Sequence, residues 1–281
     1  MMGLGHQVED GGEEYESRCY MDLNFIEFTD RKTRFILSGV TPAFANSIRR
    51  GMITDVHSMS IDDVNFYNNT SVLFDEMLAL RLGLIPLTGG AEYVPASECT
   101  CNGEGCSFCQ VSLTLNVKGP TVVYSRDLKS SDAEVVPVED EIPIVKLFKD
   151  QVIMLEAIAR KGCGKDHAKF QPAIAASYKY VPRFVIDECD GCGKCEEVCP
   201  KKIIEIEGQH AKITDELQCS LCNLCRIACD TGAIKVTGDA QSFIFYVESD
   251  GSMSAKNLLV KSVESLRDKS DQLNEYLKSF G

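Results

Sequence analysis

The chain reads as an α+β protein on three observations. Two short segments carry apolar residues every three to four positions, several short stretches alternate or run apolar, and a long helical pattern closes the sequence. With 281 residues and 44% hydrophobic content, it is long enough for two or three domains with a buried core.

The elements are taken in chain order. Residues 1–18, MMGLGHQVEDGGEEYESR, are acidic and glycine-rich, with neither the basic start nor the apolar stretch of a secretory signal, and are expected to form a solvated tail. RFILSGV reads as a strand. In TPAFANSIRRGMITD, Thr41 stands as N-cap and Pro42 at the first helical position, while Phe44, Ile48 and Met52 recur every four residues and Arg49 and Arg50 lie toward the far end. A second helix is expected from Ser71, with a stripe of Leu73, Met77, Leu80 and Leu84 that Pro86 halts. Both stripes are expected to face a core. VSLTLNV and DQVIMLEAIAR read as strands, and so does SFIFYVES, before a turn at Asp250-Gly251 and a helix from about Ser254. On that helix Leu259, Val263, Leu266, Leu273 and Leu277 form a heptad seam interrupted at Ser270. A seam of this length suggests a partner helix; packing on the domain's own sheet is the competing expectation.

The formal net charge of -13 argues against nonspecific nucleic-acid binding through the bulk surface, so contact with DNA is expected only indirectly, through a partner. No apolar run approaches the ~18 residues of a membrane span, and a cytoplasmic location is expected. There, fourteen cysteines point to metal or cluster ligation rather than disulfides.

Twelve of them fall into three groups. Cys189, Cys192, Cys195 and Cys199, followed by Pro200, and then Cys219, Cys222, Cys225 and Cys229 repeat the spacing C-x2-C-x2-C-x3-C. In two-cluster ferredoxins the last cysteine of each run ligates the other cluster. Cys189, Cys192, Cys195 and Cys229 are therefore assigned to a first [4Fe–4S] cluster, and Cys219, Cys222, Cys225 and Cys199 to a second. Asp230 stands where the first run has Pro200, a departure that counts against the second cluster, and a 3Fe–4S form after oxidative loss of iron is the alternative state. Zinc knuckles or unligated thiols are the competing reading. Between the runs, Ile204 and Ile206 alternate with Glu205 and Glu207 before a Gly-Gln turn, which predicts a small hairpin. In CTCNGEGCSFC, Cys99, Cys101, Cys106 and Cys109 supply four soft ligands suited to a closed tetrahedral Zn(II) site, against reduced pairs without metal. Cys19 and Cys163 stand alone and read as ordinary thiols, and His6, His57 and His210 carry no assignment.

VTPAFANSIRRGMITDVHSMSIDDV, FDEMLALRLGLIPL and RKGCGKDHAKFQP resemble three motifs of the RNA polymerase assembly subunits, the bacterial alpha subunit and its archaeal and eukaryotic counterparts, with a close match to the archaeal form. The resemblance implies a discontinuous dimerisation domain at 19–53, 172–182 and 238–281. It also implies an inserted α+β domain at 54–171 with its zinc loop at 99–109, and a ferredoxin-like domain at 183–237. Arg49 and Arg50 are then expected to contact a large catalytic subunit, against a reading as plain helix-surface charge. Lys161, Lys165, His167 and Lys169 are expected on a strand and loop facing such a subunit; for His167 the competing reading is a bond within its own loop. Leu259, Val263, Leu266, Leu273 and Leu277 would pack on a small alpha-like partner, subunit L. The group from Cys99 to Cys109 resembles the zinc loop of the third-largest subunit of eukaryotic RNA polymerase II, and no bacterial-type C-terminal DNA-binding domain is expected to follow.

The function so implied is that of a non-catalytic scaffold of archaeal RNA polymerase. It would pair with subunit L, dock the large catalytic and small assembly subunits, and carry clusters that stabilise the insert and tune assembly. SIDDV and VEDEIP offer carboxylates but no nucleotide-binding frame. The alternative is a ferredoxin-type electron-transfer component of an oxidoreductase, for which a Rossmann or flavin motif is missing.

Overall fold

The computed structural model describes residues 21–280, so the expected tail and Cys19 lie outside the described residues. In chain order these form β1 (Asp22–Phe28), β2 (Lys32–Ser38), α1 (Pro42–Thr54), β3 (His57–Asn69), α2 (Asp75–Gly83), β4 (Gln110–Lys118), β5 (Thr121–Tyr124), β6 (Lys129–Ser130) and β7 (Pro143–Leu147). There follow β8 (Val152–Cys163), β9 (Ala173–Ile186), α3 (Lys194–Glu197), β10 (Ile204–Glu207), β11 (His210–Ile213), α4 (Leu224–Ala228), β12 (Ile234–Ser249) and α5 (Ala255–Lys278). No described helix is long and apolar enough to cross a membrane.

The first core lies under an antiparallel sheet of order β1-β2-β12-β9. β2 alternates cleanly: Thr33, Phe35 and Leu37 are buried and Arg34 and Ile36 face the other way. Thr41 accepts a hydrogen bond from the Phe44 N–H, and Pro42 opens α1 as expected. α1 then lays Ala45, Ile48 and Met52 on Phe35, Leu37, Phe243, Phe245 and Val247. Phe35 and Phe245 stack with their centroids 5.0 Å apart. Ser254 caps α5. The two helices meet closely where a Cβ on Gly51 would stand 3.3 Å from the Ser262 carbonyl oxygen, so any larger residue there would push them apart by a few tenths of an ångström. An ion pair of 2.7 Å between Lys269 and Asp55 ties them further along.

A second core fills the space between the β3-β8-β4-β6 sheet, the β5-β7 pair and α2. Here the expected stripe is corrected. The helix begins at Asp75, and it is Leu78 and Leu82 that are fully buried, while Met77, Leu80 and Leu84 are 49%, 56% and 62% exposed; only Leu73, ahead of the helix, packs on the core. α2 is apolar on two faces, and periodicity cannot say which of them the sheet covers.

β9 and β12 run on together past the first sheet, from Phe243↔Tyr180 across a bulge to Gly238↔Pro182 and Ile234↔Ile186. The chain thus enters the cysteine-rich module along the sheet's edge strand and leaves it along that strand's interior neighbour. The hairpin of β10 and β11 forms as expected, and beneath it Ile203, Ile204, Ala211, Ile234 and Val236 share a small core with Cys195, Cys219 and Cys225.

Candidate metal centres and docking faces

Between Ala96 and β4 the chain folds tightly enough to converge four thiols. Cys99 Sγ lies 3.5 Å from Cys106 Sγ, Cys101 Sγ 3.6 Å from Cys109 Sγ, and Cys106 Sγ 3.8 Å from Cys109 Sγ. All four sulfurs fall within 4.8 Å of one another. Tetrahedral bonds of about 2.3 Å to a central zinc set sulfurs about 3.8 Å apart, so the donor set fits one ion. Cys99 and Cys109 are buried, and the Cys106 N–H donates to Cys109 Sγ. Burial pushes Cys109 up to about 12, whereas the Gly105 N–H and then the Cys99 thiol pull Cys101 down to about 6.

The eight cysteines further on behave differently. Among the described residues only the Cys99 group closes to single-ion distances. The other eight line two hollows instead. The first hollow is bordered by Cys189, Cys192, Cys195 and Cys229, and the second by Cys219, Cys222, Cys225 and Cys199. Each hollow gathers three cysteines of one run and the last of the other, and each is apolar apart from its thiols and a few polar groups. Four thiolates spread around such a space suit a multi-atom cluster rather than a bare ion.

The two loops are not equivalent. Gly191 and Gly193 take left-handed backbone in the first, at φ 72° and 77°, and their counterparts Leu221 and Asn223 do so in the second, at 57° and 61°. Left-handed backbone costs a residue with a Cβ roughly 1–2 kcal/mol, least for asparagine. Asn223 Oδ1 is also buried without a protein partner beside the second hollow. Asp230, the departure from the Cys-Pro pattern, lies next to Cys229 at the first hollow, not the second, and Lys194 pairs with it there. Finally, Lys179 of β9 donates from Nζ to the carbonyls of Leu217 and Cys219, 2.7 Å each, and Arg34 of β2 donates to the Leu217 carbonyl at 3.3 Å. Burial, then the neighbouring Arg34, lowers the Lys179 pKa. Neither cation stands out in the sequence, because nothing local marks a strand lysine as the partner of carbonyls some forty residues away.

The expected docking residues divide. Arg50 is exposed, whereas Arg49 is half-buried and donates to Asn46 Oδ1. Lys161 reaches the Tyr93 carbonyl at 2.6 Å, and Lys169, with its side chain 15% exposed, pairs with Asp62 at 2.6 Å. His167 accepts the Lys169 N–H on Nδ1, which is the bond within its own loop, and Lys165 is exposed. On α5, only Ala255, Leu258 and Ser262 are buried; Leu259 and Leu266 are half-covered, and Val263, Leu273 and Leu277 are exposed. Sequence reasoning misses two apolar faces. Leu23, Phe25, Ile26 and Phe28 are exposed on the edge strand β1, and Phe74 is 78% exposed beside the outward face of α2. The run LNFIEF, apolar on both sides of a strand, is the available signal for the first.

Residues 64–189 match the family model of the RNA polymerase Rpb3/RpoA insert domain, and residues 182–205, with the first cysteine run, match that of a 4Fe-4S binding domain. The chain is similar to DNA-directed RNA polymerase subunit Rpo3 of Methanosarcina acetivorans, 49% identical over 257 residues that cover 90% of this chain and 97% of that protein. The corresponding subunit of Methanothermobacter thermautotrophicus is 45% identical over 258 residues, covering 90% and 97%. That of Archaeoglobus fulgidus is 41% identical over 261 residues, covering 92% and 98%.

Proposed function

The chain belongs to the Rpo3 family of archaeal DNA-directed RNA polymerase subunits, and we propose that it is the scaffold on which that enzyme's subunits are brought together. It is a non-catalytic assembly subunit of a nucleotidyltransferase complex, it joins other polymerase subunits, and its cysteine groups bind metal or iron–sulfur. With relatives of this name along nine-tenths of its length, a free-standing electron-transfer component is not favoured.

In this reading the dimerisation domain comprises residues 19–53, 172–182 and 238–281, the inserted domain 54–171 and the ferredoxin-like domain 183–237. Subunit L occupies the seam of Leu259, Val263, Leu266, Leu273 and Leu277. The observation that carries it is the exposure of Val263, Leu273 and Leu277 on a capped helix whose own domain covers only its first turns. Arg49, Arg50, Lys165 and the outward face of α2 serve the large subunits, while Lys161, His167 and Lys169 shape the loop behind them through the internal bonds already described. Co-expression with the small alpha-like subunit tests this: Leu266→Glu and Leu273→Glu abolish recovery of the heterodimer, and a variant that pairs normally removes the seam from the interface.

Two [4Fe–4S] clusters, on Cys189, Cys192, Cys195 and Cys229 and on Cys219, Cys222, Cys225 and Cys199, would serve the insert chiefly as internal cross-links, since its own apolar core is small. A structural Zn(II) on Cys99, Cys101, Cys106 and Cys109 does the same for the loop before β4. X-ray absorption at the zinc edge is expected to show sulfur ligation at about 2.3 Å; nitrogen or oxygen ligands would rule the site out.

A further inference from the structure

The cysteine-rich module does not simply extend from the end of the first sheet; it folds back onto it. Lys179, Ile244 and Ile36 sit in one row across β9, β12 and β2, on the face turned away from α1 and α5, as alternation with Tyr178, Phe243 and Phe245 requires. Ile244 is nonetheless 3% exposed. The short turn Glu216–Gln218, immediately ahead of Cys219, lies against β9 on the same side as Lys179. Asp215 caps that turn, accepting the Leu217 N–H, and its last carbonyls point at the two cations of the sheet.

Resting on the ligand reading above, the geometry points to Lys179, seconded by Arg34, as a positioning residue for the second cluster alone. Its ammonium holds the backbone on both sides of Gln218 and so sets where Cys219 presents its thiol. The first loop has no such hold. Its described bonds stay within the module: the Cys192 N–H to Asp190, and Lys194 to Asp230. The asymmetry matches the backbone. The glycine loop closes without outside help, whereas the loop with Leu221 and Asn223 in left-handed conformation is anchored from outside. Two consequences follow. The second cluster becomes mechanically part of the assembly sheet, and the first stays independent of it. A fixed positive charge beside Cys219 also favours the reduced, more negative form of the second cluster, because nearby charge and hydrogen bonds set cluster potentials.

The test uses full-length protein purified anaerobically with the polymerase subunits it carries. Lys179→Met and Lys179→Arg are each placed in the wild-type, Cys192→Ser and Cys222→Ser backgrounds, the last two keeping one complete ligand set apiece. In the Cys192→Ser background, Lys179→Met is expected to speed iron release to a ferrous chelator about tenfold, as loss of hydrogen bonds from a charged donor would. It also lowers the potential at which dithionite titration brings up the reduced-cluster EPR signal. Lys179→Arg restores both. In the Cys222→Ser background neither quantity moves, and the amides of β9 around Lys179 exchange faster than in Cys192→Ser. Equal effects on both clusters, no effect on either, or faster release at an unchanged potential would overturn the assignment while leaving the ligand sets standing. A Cys222→Ser protein that keeps iron for two clusters sinks the ligand reading, and this inference with it.

Discussion

The core between α2 and the β3-β8-β4 sheet buries nineteen apolar residues without a cysteine, while the core under β10 and β11 buries eight, three of them cysteines. Burying an aliphatic side chain contributes about 1.5–3 kcal/mol, so the core of the first module holds itself by apolar burial, and the proposed zinc serves only the loop before β4. The second has Ile203, Ile204, Ala211, Ile234 and Val236, and in the proposed reading its folding free energy comes largely from what its thiols bind. On that reading one polypeptide carries two modules whose stabilities answer to different variables, side-chain volume in the core of one and iron supply in the other.

The largest effect that separates them is removal of one ligand from each cluster. Cys192→Ser combined with Cys222→Ser is expected to remove the metal-linked folding free energy of the second module. Hydrogen exchange of residues 187–233 then approaches that of unfolded chain, and the amides of β3, β8 and β4 keep their protection. Retained protection in 187–233 would show a core sufficient without clusters. The reciprocal variant is Leu82→Ala, at a side chain with no exposure. It should lower stability by about 3 kcal/mol in denaturant titration, with iron content unchanged. A parallel loss of iron would mean that the modules are not independent.

The far end of α5 belongs to neither core. Leu273 is 58% exposed, so Leu273→Glu should change the stability of the isolated chain by no more than about 0.5 kcal/mol while removing heterodimer formation. A large stability loss would place that turn inside the fold. The smallest effect concerns acid. Burial tends to raise the Asp62 carboxyl, but Lys169 and Arg160 outweigh it and hold it below the usual range. A depressed carboxylate contributes stability that is present above its unfolded value of about 3.9 and is lost as pH falls through the folded one. Asp62→Asn should therefore lower stability slightly at neutral pH, where the paired carboxylate contributes, and flatten part of the acid limb below about pH 4. An unchanged acid limb would mean that the pair is solvated away.

Much of this is legible along the chain. Thr41 and Pro42 announce α1, Ser254 announces α5, and the alternation of Ile204 to Glu207 announces the hairpin, each because the signal sits within a few residues of its effect. The grouping of Cys229 with the first run and of Cys199 with the second is an expectation taken from the two-cluster ferredoxin pattern, and the two hollows are lined by the same sets of cysteines. The error on α2 has a different source. Its sequence offers two apolar stripes, and the choice between them belongs to a sheet whose strands β4 and β8 lie far along the chain. Asp230 reads in sequence as a weakness of the second cluster for a similar reason: its neighbour Cys229 faces the first hollow, where Lys194 pairs with it.

Residue order alone is enough for the local elements, for the three cysteine groups and for the kinship with polymerase subunits, since periods, caps and ligand spacings act over one or two turns of chain. Which face of α2 is covered, how far α5 is left bare, and that Lys179 and Arg34 grip the backbone ahead of Cys219 become visible only once the chain is folded. These are contacts between residues tens to hundreds of positions apart, and no pattern within either partner specifies the other. They arise from the packing of β9 and β12 into one sheet and the return of the cysteine-rich module onto its back.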